Sequence, residues 1–162
     1  MKIAQVGIRL ARLSDSERIA QMSRDYIEHG LPWTWTAERV AHAIHDPDTN
    51  VVVVGESEVS AFGIMFHAND DAHLLLFAVR TPSQRRGVGS AILKWLEEAA
   101  RTAGAKRIRV ECRRDNKPAR NFYCDHGYTE LDISTKMYRG LKDGIHLEKW
   151  FASSEPVDSA KS

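Results

Sequence analysis

The run Gln84-Arg85-Arg86-Gly87-Val88-Gly89 sets two guanidinium groups and two residues without a Cβ directly before a long amphipathic segment. That combination suits an anion. A helix start offers unpaired backbone N–H groups and a partial positive charge, and glycine lets a ligand approach the backbone closely. The spacing is neither the G-x-x-x-x-G-K-[ST] of a nucleoside triphosphate loop nor the G-x-G-x-x-G of a dinucleotide fold. Taken alone, the run is equally a basic turn closed by glycines. The charge distribution adds weight to the anion. Residues 80–120 carry 12 Lys and Arg against 4 Asp and Glu, while the remainder carries 11 against 18. Such asymmetry points to an anionic partner for the middle of the chain. Aromatic residues do not interleave with these arginines as a single-stranded nucleic-acid surface requires. A small polyphosphate ligand is expected, and nucleic acid is not.

The rest of the composition is that of an ordinary globular chain: 162 residues, 43% hydrophobic and 28% charged. One domain over residues 1–150 is expected, followed by a polar C-terminal tail, 151–162. No signal-peptide pattern and no run of 18 apolar residues appear, so neither export nor a membrane partner is expected. Cys112 and Cys124 fit neither a disulfide framework nor a metal knuckle, which suggests a reducing cytoplasm and no metal. Monomer and homodimer both remain open.

The elements that must position the loop follow from periodicity. "IRLARL" (8–13) alternates at period two, as a half-buried strand does. Ser14 and Glu17 form a capping box for a helix over 15–28, and Thr36 caps a second helix that ends before Pro47. "VVVVG" (51–55), "VSAFGIMFH" (59–67) and "AHLLLFAV" (72–79) read as an antiparallel meander. A helix over 88–103 presents Val88, Ile92, Trp95 and Ala99 on one face and stops at Gly104. "KRIRVEC" (106–112) alternates again, and a helix over 117–126 has Pro118 in its first turn and Gly127 past its end. "YTEL" and "STKMYR" complete the series as two strands. The predicted order is β-α-α-β-β-β-α-β-α-β-β.

With the strand before it, "QRRGVG" closely resembles the acyl-CoA pyrophosphate loop of the GNAT superfamily of N-acetyltransferases, Q/R-x-x-G-x-G/A. "NKPARNFYCDHGY" (116–128) resembles a second family segment, with Asn116, Ala119, Tyr123, Gly127 and Tyr128 in place. The resemblance covers roughly residues 6–139. It implies an α/β (α+β) fold with a mixed, mostly antiparallel sheet, splayed between strands 72–79 and 106–112 to hold the acyl-CoA. It further implies acetyl-CoA as acyl donor, held by Gln84, Arg85 and the amides of Arg86, Gly87, Val88, Gly89 and Ser90. Backbone groups of Phe77 and Val79 would pair with the pantetheine arm like an added strand. Asn116 would either bond near the pantetheine or cap its helix. In many members a proline falls two residues after the strand-ending valine; here Pro82 falls three after Val79, which alters the approach to the loop.

The implied activity is transfer of an acetyl group from acetyl-CoA to a primary amine by direct attack in a ternary complex. A backbone N–H at the splay, that of Val79, would serve the developing oxyanion. Tyr123 matches the family's general acid. A phenol near 10 against a thiol near 8.5 makes full proton transfer cost only roughly 2 kcal/mol. As a base, Glu111 lies twelve residues before Tyr123, as in members that acetylate protein N-termini. It is equally an ion-pair partner of Arg109 or Arg113. His67 and His73 lie near strand ends and could act through water. "EHGLPWTW" falls where the family shapes its acceptor pocket, so Glu28, Trp33 and Trp35 are candidate acceptor contacts, or loop anchors. The acceptor is a small-molecule amine or a peptide or protein N-terminus, and the region's lack of strong acidity disfavours a polycation. A catalytically silent acyl-CoA-binding module would carry the same loop; retention of Tyr123 favours an enzyme.

Overall fold

Valine-rich and alternating segments assemble into one seven-stranded sheet with helices on both faces. The computed structural model describes residues 7–80, 87–138 and 142–152, and the backbone alone at 132–138 and 142. In chain order these are β1 (Ile8–Leu10), α1 (Ser16–Met22), α2 (Ala37–His45), β2 (Thr49–Val54), β3 (Ala61–Ala68), β4 (Asp71–Val79), α3 (Val88–Thr102), β5 (Arg107–Arg113), α4 (Lys117–Asp125), β6 (Thr129–Tyr138) and β7 (Lys142–Trp150). A 3-10 turn at Leu13–Asp15 leads into α1, and a π-type turn at Ser23–Ile27 continues it. The sheet order is β1-β2-β3-β4-β5-β7-β6, with β4 and β5 parallel and every other pair antiparallel. The fold class and the element order match the expectation from sequence.

Two local expectations are corrected. The first helix is not capped by Ser14. Asp15 accepts the Arg12 N–H at 2.7 Å and binds the Arg9 guanidinium at 2.9 and 3.1 Å. An ionised acceptor tied to a guanidinium holds that turn better than a hydroxyl does, and it ends β1 after three residues. The second correction concerns the end of the chain. "YTEL" and "STKMYR" belong to a single strand, β6, whose register against β7 shifts twice. The last strand is β7, which inserts between β5 and β6.

The core has two halves. On one face Val88, Ile92, Leu96 and Ala100 form the buried spine of α3, with Trp95 and Ala99 at its rim. Gly63 lets this helix approach β3, since a Cβ there would lie 2.8 Å from Leu96 Cδ1. On the other face α1 and α2 cover Val51, Val53, Phe62 and Ile64.

One residue in β4 positions the site. Ile64 pairs with Leu76 and Met65 with Leu74, so Leu75 has no partner on β3 and forms a bulge. An extra residue inverts side-chain parity along the strand. Ala72 and Leu74 therefore point to the α3 side, whereas Leu76 and Ala78 point to the α1–α2 side. Leu75, although flanked by leucines, is left 44% exposed. Pairing of β4 with β5 runs only from Asp71–Arg107 to Leu74–Val110. Arg107 closes that end, reaching Asp71 at 2.7 and 3.3 Å and Glu148 on β7 at 3.0 Å. Beyond Leu74 the two strands separate.

The Arg107 hydrogen bond holds the Asp71 carboxyl below its usual range, as Arg9 does for Asp15 and Arg120 for Glu130. A depressed folded-state pKa gives stabilisation that is complete above the unfolded value and is lost as pH falls towards the folded one. Stability should therefore decline below about pH 5. Asp71→Asn should lower stability at pH 7 and flatten that decline, which urea titrations across pH would record.

Candidate active site

Where β4 and β5 separate, a cavity of about 390 Å³ opens, with Tyr123, Asn116, Phe77 and Glu111 in its wall. A second cavity, of about 530 Å³, lies towards the α1–α2 connection and includes Glu111, Glu28 and Trp35. Ile27, Leu74, Leu75, Leu76, Val110 and Glu111 line both, so Glu111 stands at the junction. The Arg80 N–H donates to the carbonyl of Ser60, the residue just before β3, at 2.8 Å. Antiparallel alternation then turns the backbone N–H and C=O of Phe77 and Val79 towards the opposite, β5-facing edge.

The glycine loop enters α3 at Gly87, which has φ +80° and accepts the Ala91 N–H at 3.0 Å. None of the described residues lies within 4 Å of a Cβ placed at Gly87, so what a side chain there would obstruct is approach from outside. Gly89 has a different task. A Cβ there would meet the Phe122 ring at 3.4 Å and Val79 Cγ2 at 3.5 Å, so this glycine seats the first turn of α3 against α4 and β4. Val88 is buried in the core. The Ser90 hydroxyl lies 2.8 Å from His126 Nε2, and His126 Nδ1 lies 2.7 Å from the Phe122 carbonyl. A carbonyl only accepts, so Nδ1 donates and, in the neutral ring, Nε2 accepts the Ser90 proton. His126 thus ties the end of α4 to the start of α3, a role absent from the sequence expectations. Gln84, Arg85, Arg86 and Pro82 lie outside the described residues. The start of α3, where none of the described residues would meet a Cβ at Gly87, and the Phe77 backbone turned towards the splay fit a pyrophosphate with an extended amide chain.

Tyr123 projects from α4 into an aromatic cluster and is 5% exposed. Its ring centre is 6.3 Å from Phe77, 5.5 Å from Phe122 and 5.6 Å from Tyr128. Asn116 caps α4, accepting the Ala119 N–H at 3.1 Å, while also lining the cavity. Cys112, in the same wall, has its thiol pushed up to about 11 by burial. It is therefore a protonated thiol at neutral pH, and it lacks the thiolate that nucleophilic catalysis requires.

Glu111 is 56% exposed at its side chain, with its carboxylate 3.4 Å from His146 Nδ1. The side chain facing it is thus His146 on β7, and no ion pair of Glu111 with Arg109 or Arg113 occurs among the described residues. Arg113 instead donates to the carbonyls of Ile27 (3.1 Å) and His29, holding the α1–α2 connection to β5. Glu28 is buried and spends both oxygens on that connection, accepting from Ser23 Oγ, the Thr34 N–H and hydroxyl, and the Trp35 N–H at 2.7 to 3.2 Å. Trp35 lines the second cavity beneath Arg39. Trp33 is 41% exposed under Arg24 and lines neither cavity. His73 lines the second cavity, whereas His67 bonds Asn50 at 2.6 Å and lines neither.

Residues 16–128 match the model of the acetyltransferase (GNAT) family. The chain is 29% identical over 129 residues to the ribosomal protein bS18-alanine N-acetyltransferase of Salmonella typhimurium, spanning 71% of this chain and 87% of that protein. It is 25% identical over 130 residues to the aminoalkylphosphonate N-acetyltransferase of the same organism, spanning 76% and 84%. Among solved structures, the ribosomal-protein-S18-alanine N-acetyltransferase of Escherichia coli superposes with a TM-score of 0.75 at 23% identity, over 91% of this chain and 96% of that one. The PaiA N-acetyltransferase of Thermoplasma acidophilum, solved with coenzyme A, superposes at 0.75 with 18% identity, over 91% and 99%.

Proposed function

This chain belongs to the GNAT acetyltransferase family, and from that premise we propose that it moves an acetyl group from acetyl-CoA directly onto a primary amine in a ternary complex. The acceptor is a small-molecule amine or a peptide or protein N-terminus. One observation carries this above all: Tyr123 and Glu111 line one cavity at the point where β4 and β5 separate. Backbone amides from Gly87 to Ser90 would hold the pyrophosphate, and the edges of Phe77 and Val79 the pantetheine. Bound acetyl-CoA supplies the activated acyl group. Tyr123 donates a proton at the sulfur side, and the Val79 N–H faces the oxygen on which charge develops. Glu111 takes the amine proton, directly or through water. The protonated Cys112 thiol supports direct attack over an acyl-cysteine relay. Thiol release from acetyl-CoA that depends on added amine separates this activity from silent binding.

Glu111 has its own test. An alkylamine near pKa 10.4, or an α-amino group near 7.7 to 8.0, is increasingly protonated as pH falls. Glu111→Gln should therefore slow turnover most at low pH, with the deficit shrinking as pH rises. His146, His73 and Arg109 face the same cavity, so the comparison must be against wild type at each pH. A pH–rate curve parallel to wild type, together with lowered stability, would reduce Glu111 to an ion-pair partner.

A further inference from the structure

Several arginines elsewhere in the described residues are closed by carboxylates, Arg9 by Asp15, Arg107 by Asp71 and Arg120 by Glu130, each through two hydrogen bonds, while Arg113 is spent on backbone carbonyls. The two that line the acceptor-side cavity, Arg39 and Arg109, differ. Among the described residues neither has a carboxylate within ion-pairing distance. The nearby acids are committed. Glu28 is saturated by the α1–α2 connection, Glu111 faces His146, and Glu148, the cross-strand neighbour of Arg109, is held by Arg107 and the Trp150 indole. The Arg39 guanidinium lies 3.9 Å from the Trp35 ring centre, at the meeting of this cavity with a groove of about 490 Å³ lined by His42 and His45. Asp46, the one acid in that groove's wall, binds the Asp48 N–H and the Thr49 hydroxyl. Stacking orders a guanidinium while leaving its N–H edge for a bidentate anion.

We propose that the acceptor carries an acidic group a few bonds from its amine, with Arg39 and Arg109 binding the acid and Glu111 meeting the amine. This rests on the acetyl-transfer function proposed above. The acid is a carboxylate or phosphonate, borne by a free amino acid-like molecule or by a side chain next to a peptide N-terminus.

Two matched pairs test it: γ-aminobutyrate against γ-aminobutyramide, and the peptide amides Ala-Glu-Gly and Ala-Gln-Gly. A charge-assisted hydrogen bond corresponds to roughly 10- to 100-fold in affinity. The acid should therefore be favoured at least about tenfold in kcat/KM in one pair, mainly through KM, and the pair that shows it identifies the source. Arg39→Gln and Arg109→Gln together should bring that ratio towards one, with Arg109→Lys retaining part of it, in proteins whose thermal shift with CoA matches wild type. Equal use of acid and amide in both pairs, or a preference that survives the double replacement, would overturn the inference while leaving acetyl transfer intact. Absence of turnover with every amine, in protein that binds acetyl-CoA, would overturn acetyl transfer itself.

Discussion

Tyr123→Phe should lower kcat at least tenfold while leaving the acetyl-CoA dissociation constant close to wild type. The change removes one oxygen and keeps the ring, so the contacts with Phe77, Phe122 and Tyr128 survive. Burial of the ring in the cavity wall makes packing loss the main confounder, and phenylalanine avoids it. In the proposed mechanism what disappears is a proton donor at the leaving sulfur, and general acid catalysis is typically worth about 10²–10⁴ in rate. A loss in kcat without a change in binding is the signature of an interaction made only in the transition state. Wild-type kcat in the variant, under conditions where chemistry limits the rate, would remove Tyr123 from the mechanism.

Gly87→Ala should weaken CoA binding by at least about tenfold, the scale of one charge-assisted backbone hydrogen bond. Two effects need separating. Gly87 has φ +80°, so any Cβ strains the backbone, by roughly 1–2 kcal/mol. The Cβ also projects where none of the described residues lies within 4 Å, on the side from which the proposed pyrophosphate would approach the helix start. Gly104 provides the control. It has φ +97° and equally open surroundings, but it closes the far end of α3. Gly104→Ala should share the stability loss and keep full CoA affinity by calorimetry. Equal affinities in Gly87→Ala, Gly104→Ala and wild type would exclude the loop as the pyrophosphate site.

Much of the architecture was legible because side-chain period and turn chemistry act locally. Thr36, Pro118 and Gly104 end or start helices where expected, with Thr36 accepting the Arg39 N–H at 3.3 Å. Less local features were not. The Leu75 bulge lies within a run of three leucines, where no polar residue betrays a change of face. Ile145 and Leu147 alternate with His146 and Glu148 in β7, a period-two signal that lies past the two strands expected from "YTEL" and "STKMYR". Asp15 replaces Ser14 because its guanidinium partner, Arg9, comes from a different element. At the site, the loop, Tyr123 and Glu111 carried their own sequence signals. The Ser90–His126 link, the anchoring of Glu28 and the approach of Arg113 to the Ile27 and His29 carbonyls did not. The first and last join segments far apart in the chain, and Glu28 is satisfied only once the loop after it folds back, so single-residue chemistry does not announce such partners. Distant partners also satisfy Glu97, buried on the inner face of α3 with the Tyr128 hydroxyl at 2.9 Å and Lys149 at 3.2 Å.

Direct acetyl transfer is tested most sharply by initial rates of thiol release with acetyl-CoA and a primary amine varied together. The account predicts that release requires the amine, that acetyl appears on the amine in equal amount, and that double-reciprocal lines intersect, as a ternary complex demands. Parallel lines with an acetylated protein, or bound acetyl-CoA that releases no thiol with any amine, would contradict it.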